Sequence, residues 1–356
     1  MNENMNQLFD FDDILIEPTV LSEISSRSEI NPYNIKGNLP IMTAPMDTVV
    51  GENNFHIFKK NRIMPVLPRI PNATNDWVDT GIFLSYSLQD FENIFLNNKV
   101  HVPDGEQIFA LIDVANGHME ILKDMAQEAK LKYGKSMCLM VGNVANPDTF
   151  YKYCSIGVDM VRIGIGNGGG CLTTVQTGVG YPMASLIKEC NDIQKKKHYS
   201  GVSNSYETKI VADGGFKKYS DIIKALALGA DYVMLGSILN QCLESAGETT
   251  KENYETVNQY SQEAKDMFHA ELPLYKNFRG MSTKEVQMAW GKSELTTSEG
   301  VVRRNEVKYT VEGWVNNFES YLRSAMSYTG KKELHHFIGG VNFNNITLNS
   351  FRRFNK

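Results

Sequence analysis

Residues Lys209–Ser237 read KIVADGGFKKYSDIIKALALGADYVMLGS. Two short apolar runs, KIVADG (Lys209–Gly214) and YVMLGS (Tyr232–Ser237), flank a segment whose apolar residues recur at helical spacing over Ser220–Leu228. Continuous rather than alternating apolarity marks strands covered on both faces, so strand, helix and strand form one parallel crossover unit. The theme continues outward in PIMTAP (Pro40–Pro45), RIMPVLP (Arg62–Pro68), GIFLSYS (Gly81–Ser87), FALIDV (Phe109–Val114), MCLMVGN (Met137–Asn143) and MVRIGI (Met160–Ile165). Helical spacing returns over Met119–Tyr133. Eight such units close an α/β (β/α)8 TIM barrel; a doubly wound open sheet is the other arrangement of the same parts. Residues 1–356 read as a single barrel domain. Residues 246–310, rich in Glu, Lys and Ser and without strand–helix rhythm, read as a flap and substrate-binding elaboration after the eighth strand. A last helix is expected over Trp314–Met326, and the tail FIGGVNFNNITLNSFRRFNK reads as a segment that packs on a neighbouring subunit.

Polar residues and glycines gather where these runs end: Asp47, Asp113, Asn143, Gly164–Gly166, Asp213–Gly215 and Gly236–Ser237. In a barrel all those ends open on one face. Asp and Gly also terminate strands for purely structural reasons, but their recurrence at nearly every strand favours a site. Gly214–Gly215 and Gly236–Ser237, one unit apart, place unobstructed backbone N–H groups ahead of helices, an arrangement that suits phosphate oxygens.

Composition excludes several other roles. The chain holds 36 basic and 41 acidic residues, net charge -5, so no overall field favours nucleic acid or an anionic membrane. No run of apolar residues is long enough for a spanning helix, and MNENMNQLFDFDD lacks the basic end and apolar core of a signal peptide, which makes a cytoplasmic location the expectation. The five cysteines, Cys138, Cys154, Cys171, Cys190 and Cys242, are odd in number and show no CxxC spacing; neither a disulfide framework nor a structural metal site is expected. His335–His336 is a poor chelate because adjacent side chains diverge.

GIGNGGGCLTTVQTGVGYP (Gly164–Pro182) is too glycine-dense for a helix or strand interior. Such a loop tolerates close ligand approach. Cys171 sits within it, whereas Cys138 and Cys154 read as buried, inert thiols. Near backbone N–H groups and a phosphorylated ligand, the Cys171 thiolate is a candidate nucleophile; a chance loop cysteine is the plainer alternative.

With these motifs in sequence order, the chain resembles the IMP dehydrogenase/GMP reductase family over nearly its full length. The matching stretches are FDDILIEP (Phe11–Pro18), APMDTV (Ala44–Val49), IDVANGH (Ile112–His118), GNV (Gly142–Val144), the glycine loop, ADGG, DYVMLGS, RGMS (Arg279–Ser282), SEG (Ser298–Gly300) and LRSAMSYTG (Leu322–Gly330). The resemblance implies a barrel, a homotetramer, a purine nucleoside 5′-monophosphate at the mouth, and Cys171 attacking purine C2. It implies a Thr173–Glu299 proton relay and Asp213 on the ribose hydroxyls. Gly214, Gly215, Gly236 and Ser237 would hold phosphate, Gly169 would stand beside the substrate, and Met281, Ser282 and Glu248 would line the base or its edge. Asp113, Asn116, Gly117 and Arg69 fall on the cofactor side, and a monovalent cation is implied at the Gly166–Cys171 loop.

The short interval from PIMTAP to GIFLSYS leaves no room for the CBS pair common in the dehydrogenases. No Arg-Tyr pair lies between Gly280 and Glu299; Arg303 and Arg304 would have to fold back to fill that role. TGVGYP and IDVANG resemble the reductases, while LRSAMSYTG and RGM lean toward the dehydrogenases. The resulting expectation is an NADPH-dependent GMP reductase converting GMP or dGMP to IMP or dIMP and ammonia. IMP dehydrogenase using NAD is the first alternative and a non-catalytic purine-nucleotide-binding protein the second. Five positions depart from the family pattern: Asn167 stands for Pro, Gly169 for a phosphate-holding Ser, Thr174 for Arg, and Pro68–Arg69 for His-Lys.

Overall fold

The computed structural model describes residues 7–70, 81–98, 100–199, 208–281, 283 and 300–354, with the side chains of 197–199 excepted. After a short leading strand, β1 (Ile14–Ile16), every expected apolar run contains a strand: β2 (Ile41–Thr43), β3 (Val66–Leu67), β4 (Phe83–Tyr86), β5 (Ile108–Asp113), β6 (Met137–Val144), β7 (Met160–Ile163), β8 (Lys209–Asp213) and β9 (Tyr232–Leu235). All pair in parallel in the order β2-β9-β8-β7-β6-β5-β4-β3. The seam between the end strands is closed by a parallel bridge from Met42 to Met64. There Thr43 Oγ1 accepts from the Val66 amide at 2.8 Å. The sheet is thus a barrel rather than an open twist.

Inside and outside separate by the two-residue period of each strand. Met42, Val66, Phe83, Leu111, Met140 and Met234 pack together in the bore. Their neighbours Ile41, Leu67, Leu84, Ala110, Val141 and Val233 pack outward in the layer under the helices. Both faces are dry, which is why the strands read as unbroken apolar runs. Methionine is frequent in the bore, where a flexible unbranched side chain fills the irregular space of short strands. The outer ring includes helices Glu120–Tyr133, Pro147–Ser155, Met183–Tyr199, Tyr219–Leu228 and Val311–Tyr328.

Two regions add detail to the reading of the sequence. Residues 246–310 are not structureless over their described part: β10 (Thr249–Lys251), β11 (Leu274–Arg279) and β12 (Val302–Glu306) form an antiparallel sheet, with helix Gln262–His269 beside it. Leu243, Val257, Ala264, Leu274 and Val307 give this arm its own small core. The expected flap residues 284–299 lie outside the described residues. Within the chain the tail already has a pairing partner. Its strand β13 (Phe343–Asn345) pairs antiparallel with β1, aligning Ile14 with Asn345, so the two ends of the chain satisfy each other's backbone groups.

No helix among the described residues is long and apolar enough to cross a membrane.

Candidate active site

The C-terminal ends of the barrel strands open on a cavity of about 550 Å³. Its size falls in the range that encloses a small-molecule ligand. Gly214 and Gly215, just after β8, and Gly236 and Ser237, just after β9, line it together with Gly169 from the glycine loop. Across the barrel, Asp113 at the end of β5 and Arg69 beyond β3 form the opposing wall, and Met281 joins from the end of the arm. Gly214 and Gly215 both have left-handed backbone, φ 87° and 88°. A Cβ on Gly214 would sit 2.8 Å from the Gly168 amide nitrogen. Only glycine lets the β8 turn and the glycine loop approach this closely.

Cys171 also lines the cavity, and it is half-buried where the other four cysteines are buried. Burial pushes the Cys138 thiol up to about 12 and raises Cys190 and Cys242 as well, leaving these three inert near neutral pH. The Cys171 thiol donates to Thr173 Oγ1 at 3.2 Å, which brings together the expected nucleophile and hydroxyl relay. Its loop is held from both sides. The Cys171 amide donates to the Gly168 carbonyl at 2.9 Å, and the Val301 amide donates to the Gly170 carbonyl at 3.0 Å. Cys171 also bridges Gly300, the residue after Glu299 in sequence. Glu299 itself, like Ser282, lies outside the described residues.

Thr174 accounts for the loss of the family arginine. Its hydroxyl donates to the Val179 carbonyl at 2.8 Å and lies 3.2 Å from the Ile165 carbonyl, tying the two ends of the glycine loop. A Cβ on Gly166 would lie only 1.7 Å from Thr174 Oγ1, so the loop is folded around a side chain of this size. Asn167 Nδ2 donates to the Tyr181 carbonyl at 3.4 Å, a further tie in place of the family proline.

The charged centre of the site is Arg162 on β7, a residue not singled out from the sequence. Its Nη1 donates to Asp113 Oδ1 at 2.7 Å and its Nε to Asp213 Oδ2 at 3.0 Å. Asn143 Nδ2 donates to the same Asp213 oxygen at 2.8 Å. Burial disfavours the guanidinium charge, but Asp213 and then Asp113 outweigh it and raise the pKa above its ordinary value. Arg69 donates to the Asp113 carbonyl and stands 3.9 Å from its carboxylate. Arg162 had one available signal: a lone charge in an otherwise apolar strand must be paired when buried.

Three expected features lie elsewhere. Asn116 and Gly117 do not line the cavity; a Cβ on Gly117 would lie 2.5 Å from the Asn143 carbonyl oxygen, so that glycine serves strand-end packing. Glu248 faces the arm, accepting from Asn277 Nδ2 at 2.8 Å and Thr256 Oγ1 at 3.0 Å. The Tyr219–Leu228 helix does not offer a free N-terminus to phosphate, because Asp221 accepts from the Lys217 and Lys218 amides there. No cluster of three or more His, Cys, Asp or Glu side chains suited to a metal occurs among the described residues.

Fold and site together define a (β/α)8 barrel that presents a cysteine on a glycine loop at the mouth formed by its strand ends. The chain belongs to the IMP dehydrogenase/GMP reductase family, whose domain model, "IMP dehydrogenase / GMP reductase domain", matches residues 104–353. It is similar to the GMP reductase of Vibrio vulnificus (strain YJ016), 28% identical over 91% of this chain and 90% of that protein. GMP reductase 2 of Bos taurus is 27% identical over 91% of each chain. Human GMP reductase 1 is 26% identical over 95% of each.

Proposed function

We propose that the protein is an NADPH-dependent GMP reductase that converts GMP or dGMP to IMP or dIMP and ammonia. The observation that carries this reading is the Cys171 thiol, bonded to Thr173 in a cavity whose far wall is made of strand-end glycines. With phosphate against Gly214, Gly215, Gly236 and Ser237, and ribose at Asp213, the purine extends across the mouth toward Cys171. The sulfur then forms a bond to C2, and the ring takes up the displaced electron pair. Protonation of the exocyclic nitrogen, relayed by Thr173 and Glu299, lets the C2–N bond break and ammonia leave.

The wall around Asp113, Arg69 and Arg162 is polar and lies across the barrel from the glycines, which suits a second ring system stacked on the purine. Asp113 and Arg69 would hold a nicotinamide nucleotide there. When bound, this cofactor would supply a hydride to C2, after which the C2–S bond breaks, the electron pair returns to sulfur, and Cys171 leaves as the thiolate while the purine ring regains its double bond. Protein groups contribute orientation and exclusion of water. Assembly as a homotetramer belongs to the same reading.

Purified protein given GMP and NADPH is expected to release ammonia in step with NADPH consumption, with dGMP run in parallel. Accumulation of XMP from IMP and NAD, with no reductive activity, would move the chain to the dehydrogenase branch. Tight nucleotide binding with neither reaction would leave a binding protein.

A further inference from the structure

Arg303 on β12 reaches back over the cavity. Its Nη2 donates to Ser237 Oγ at 2.5 Å, and its guanidinium lies 4.9 Å from the centre of the Phe278 ring. A Cβ on Gly169 would come within 3.2 Å of the same nitrogen. Ser237, Phe278 and Gly169 all line the cavity. Arg304 points the other way, as the strand alternation requires, and binds Thr250 Oγ1 at 2.9 Å between the rings of Tyr254 and Tyr275. Arg303 is exposed and has no carboxylate partner among the described residues.

We infer that Arg303 is the cationic member of the phosphate cradle and clamps the 5′-phosphate of the nucleotide against Ser237 and the glycines after β8 and β9. The inference rests on the nucleotide reading above. Backbone N–H groups and one hydroxyl supply hydrogen bonds to a phosphate but no full charge. The cations that line the cavity, Arg69 and Arg162, are committed to Asp113 and Asp213. Arg303 uses one donor on Ser237 and is anchored over an aromatic ring, so its remaining donors can take phosphate oxygens in a forked, charge-assisted pair. Gly169 belongs to the same device. A serine there would crowd the guanidinium, so the glycine that removes one phosphate ligand makes room for a stronger one. Val301, two residues earlier, is bonded to the loop of Cys171, so a clamped phosphate also steadies the backbone beside the nucleophile.

Calorimetry with GMP, guanosine and inorganic phosphate, on wild type, Arg303→Ala and Arg303→Lys, tests the assignment, with thermal melting to verify folding. Arg303→Ala is expected to weaken GMP by at least about tenfold while changing guanosine by less than about threefold. Arg303→Lys should recover part of the loss, because it restores charge without the fork. Equal GMP affinity in wild type and a folded Arg303→Ala protein would overturn the inference and leave the nucleotide reading intact. If Arg303→Ala does not fold, GMP affinity unchanged in Arg303→Lys overturns it instead. Binding of inorganic phosphate that depends on Arg303, with no binding of GMP, would sustain the clamp and sink the nucleotide reading.

Discussion

Asp113 and Asp213 leave different strands of the barrel yet share one guanidinium, with Arg162 2.7 Å from the first and 3.0 Å from the second. Each side chain in this trio is at least about four-fifths buried, with exposures of 11% for Arg162 and 16% for both aspartates. Removing the cation strands two carboxylates near each other in a poorly solvated place. Arg162→Leu is therefore expected to cost about 3–5 kcal/mol of folding stability, the scale for breaking a buried pair from one side. Arg162→Lys, a point charge without the fork, should lose less. Urea unfolding checks both, and a loss of under about 1 kcal/mol for Leu would mean that solvent screens the trio.

The contrast between Cys171 and its four buried counterparts predicts selective chemistry. Iodoacetamide at mildly alkaline pH should label one thiol per folded chain, and peptide mapping should place it at Cys171. Cys171→Ala should remove both the label and turnover while leaving nucleotide affinity within about tenfold, since a covalent step is lost with little ground-state contact. Retention of a tenth of the wild-type turnover would rule out the covalent route.

Thr174 gives a test of how this glycine loop is closed. Thr174→Val keeps the shape but deletes the hydroxyl that reaches Val179 and Ile165, at a cost of about 1–2 kcal/mol. Thr174→Arg, which restores the residue the family pattern carries, should do worse, because Gly166 lies against the threonine side chain. Both variants are expected to lose kcat/KM for the nucleotide. Tighter phosphate binding by Thr174→Arg would show that the position faces the ligand after all.

Legibility followed burial. Strands β2–β9 are covered on both faces, so their apolar runs stand out, and glycines at their ends mark close backbone approach. Gly214, Gly236 and Cys171 could be read because they fall in motifs at fixed intervals. Arg162 could not, because a single charge inside MVRIGI looks like an interruption until two partners from other strands are known. Strands β10–β12 were hidden for a different reason. LYKNFR and VRRNE carry charges that face solvent, the cavity or buried carbonyls, and only a few residues per strand reach the arm's small core. Pairing of β1 with β13 joins opposite ends of the chain, where local pattern has no bearing.

Lys276 shows what the arm requires of such a charge. It is fully buried on β11, and its ammonium donates to the Ser245 carbonyl at 2.7 Å and the Gly247 carbonyl at 3.1 Å. Burial lowers its pKa to about 7, opposed by the nearby Glu244 carboxylate and Cys242. An unfolded lysine titrates near about 10.4. Because the folded value is the lower one, between these limits the unfolded chain holds the extra proton, and raising the pH favours the folded state. Below about 7 both states are charged and this pH dependence vanishes. Lys276→Met removes the titration and keeps the length of the stem, at a fixed cost from the two lost hydrogen bonds. Wild type is therefore expected to gain stability relative to Lys276→Met between about pH 7 and pH 9, by up to about 1.4 kcal/mol per pH unit. Urea unfolding of both proteins across that range measures the difference. Parallel profiles would mean that the two carbonyls and Glu244 keep the ammonium charged inside the fold.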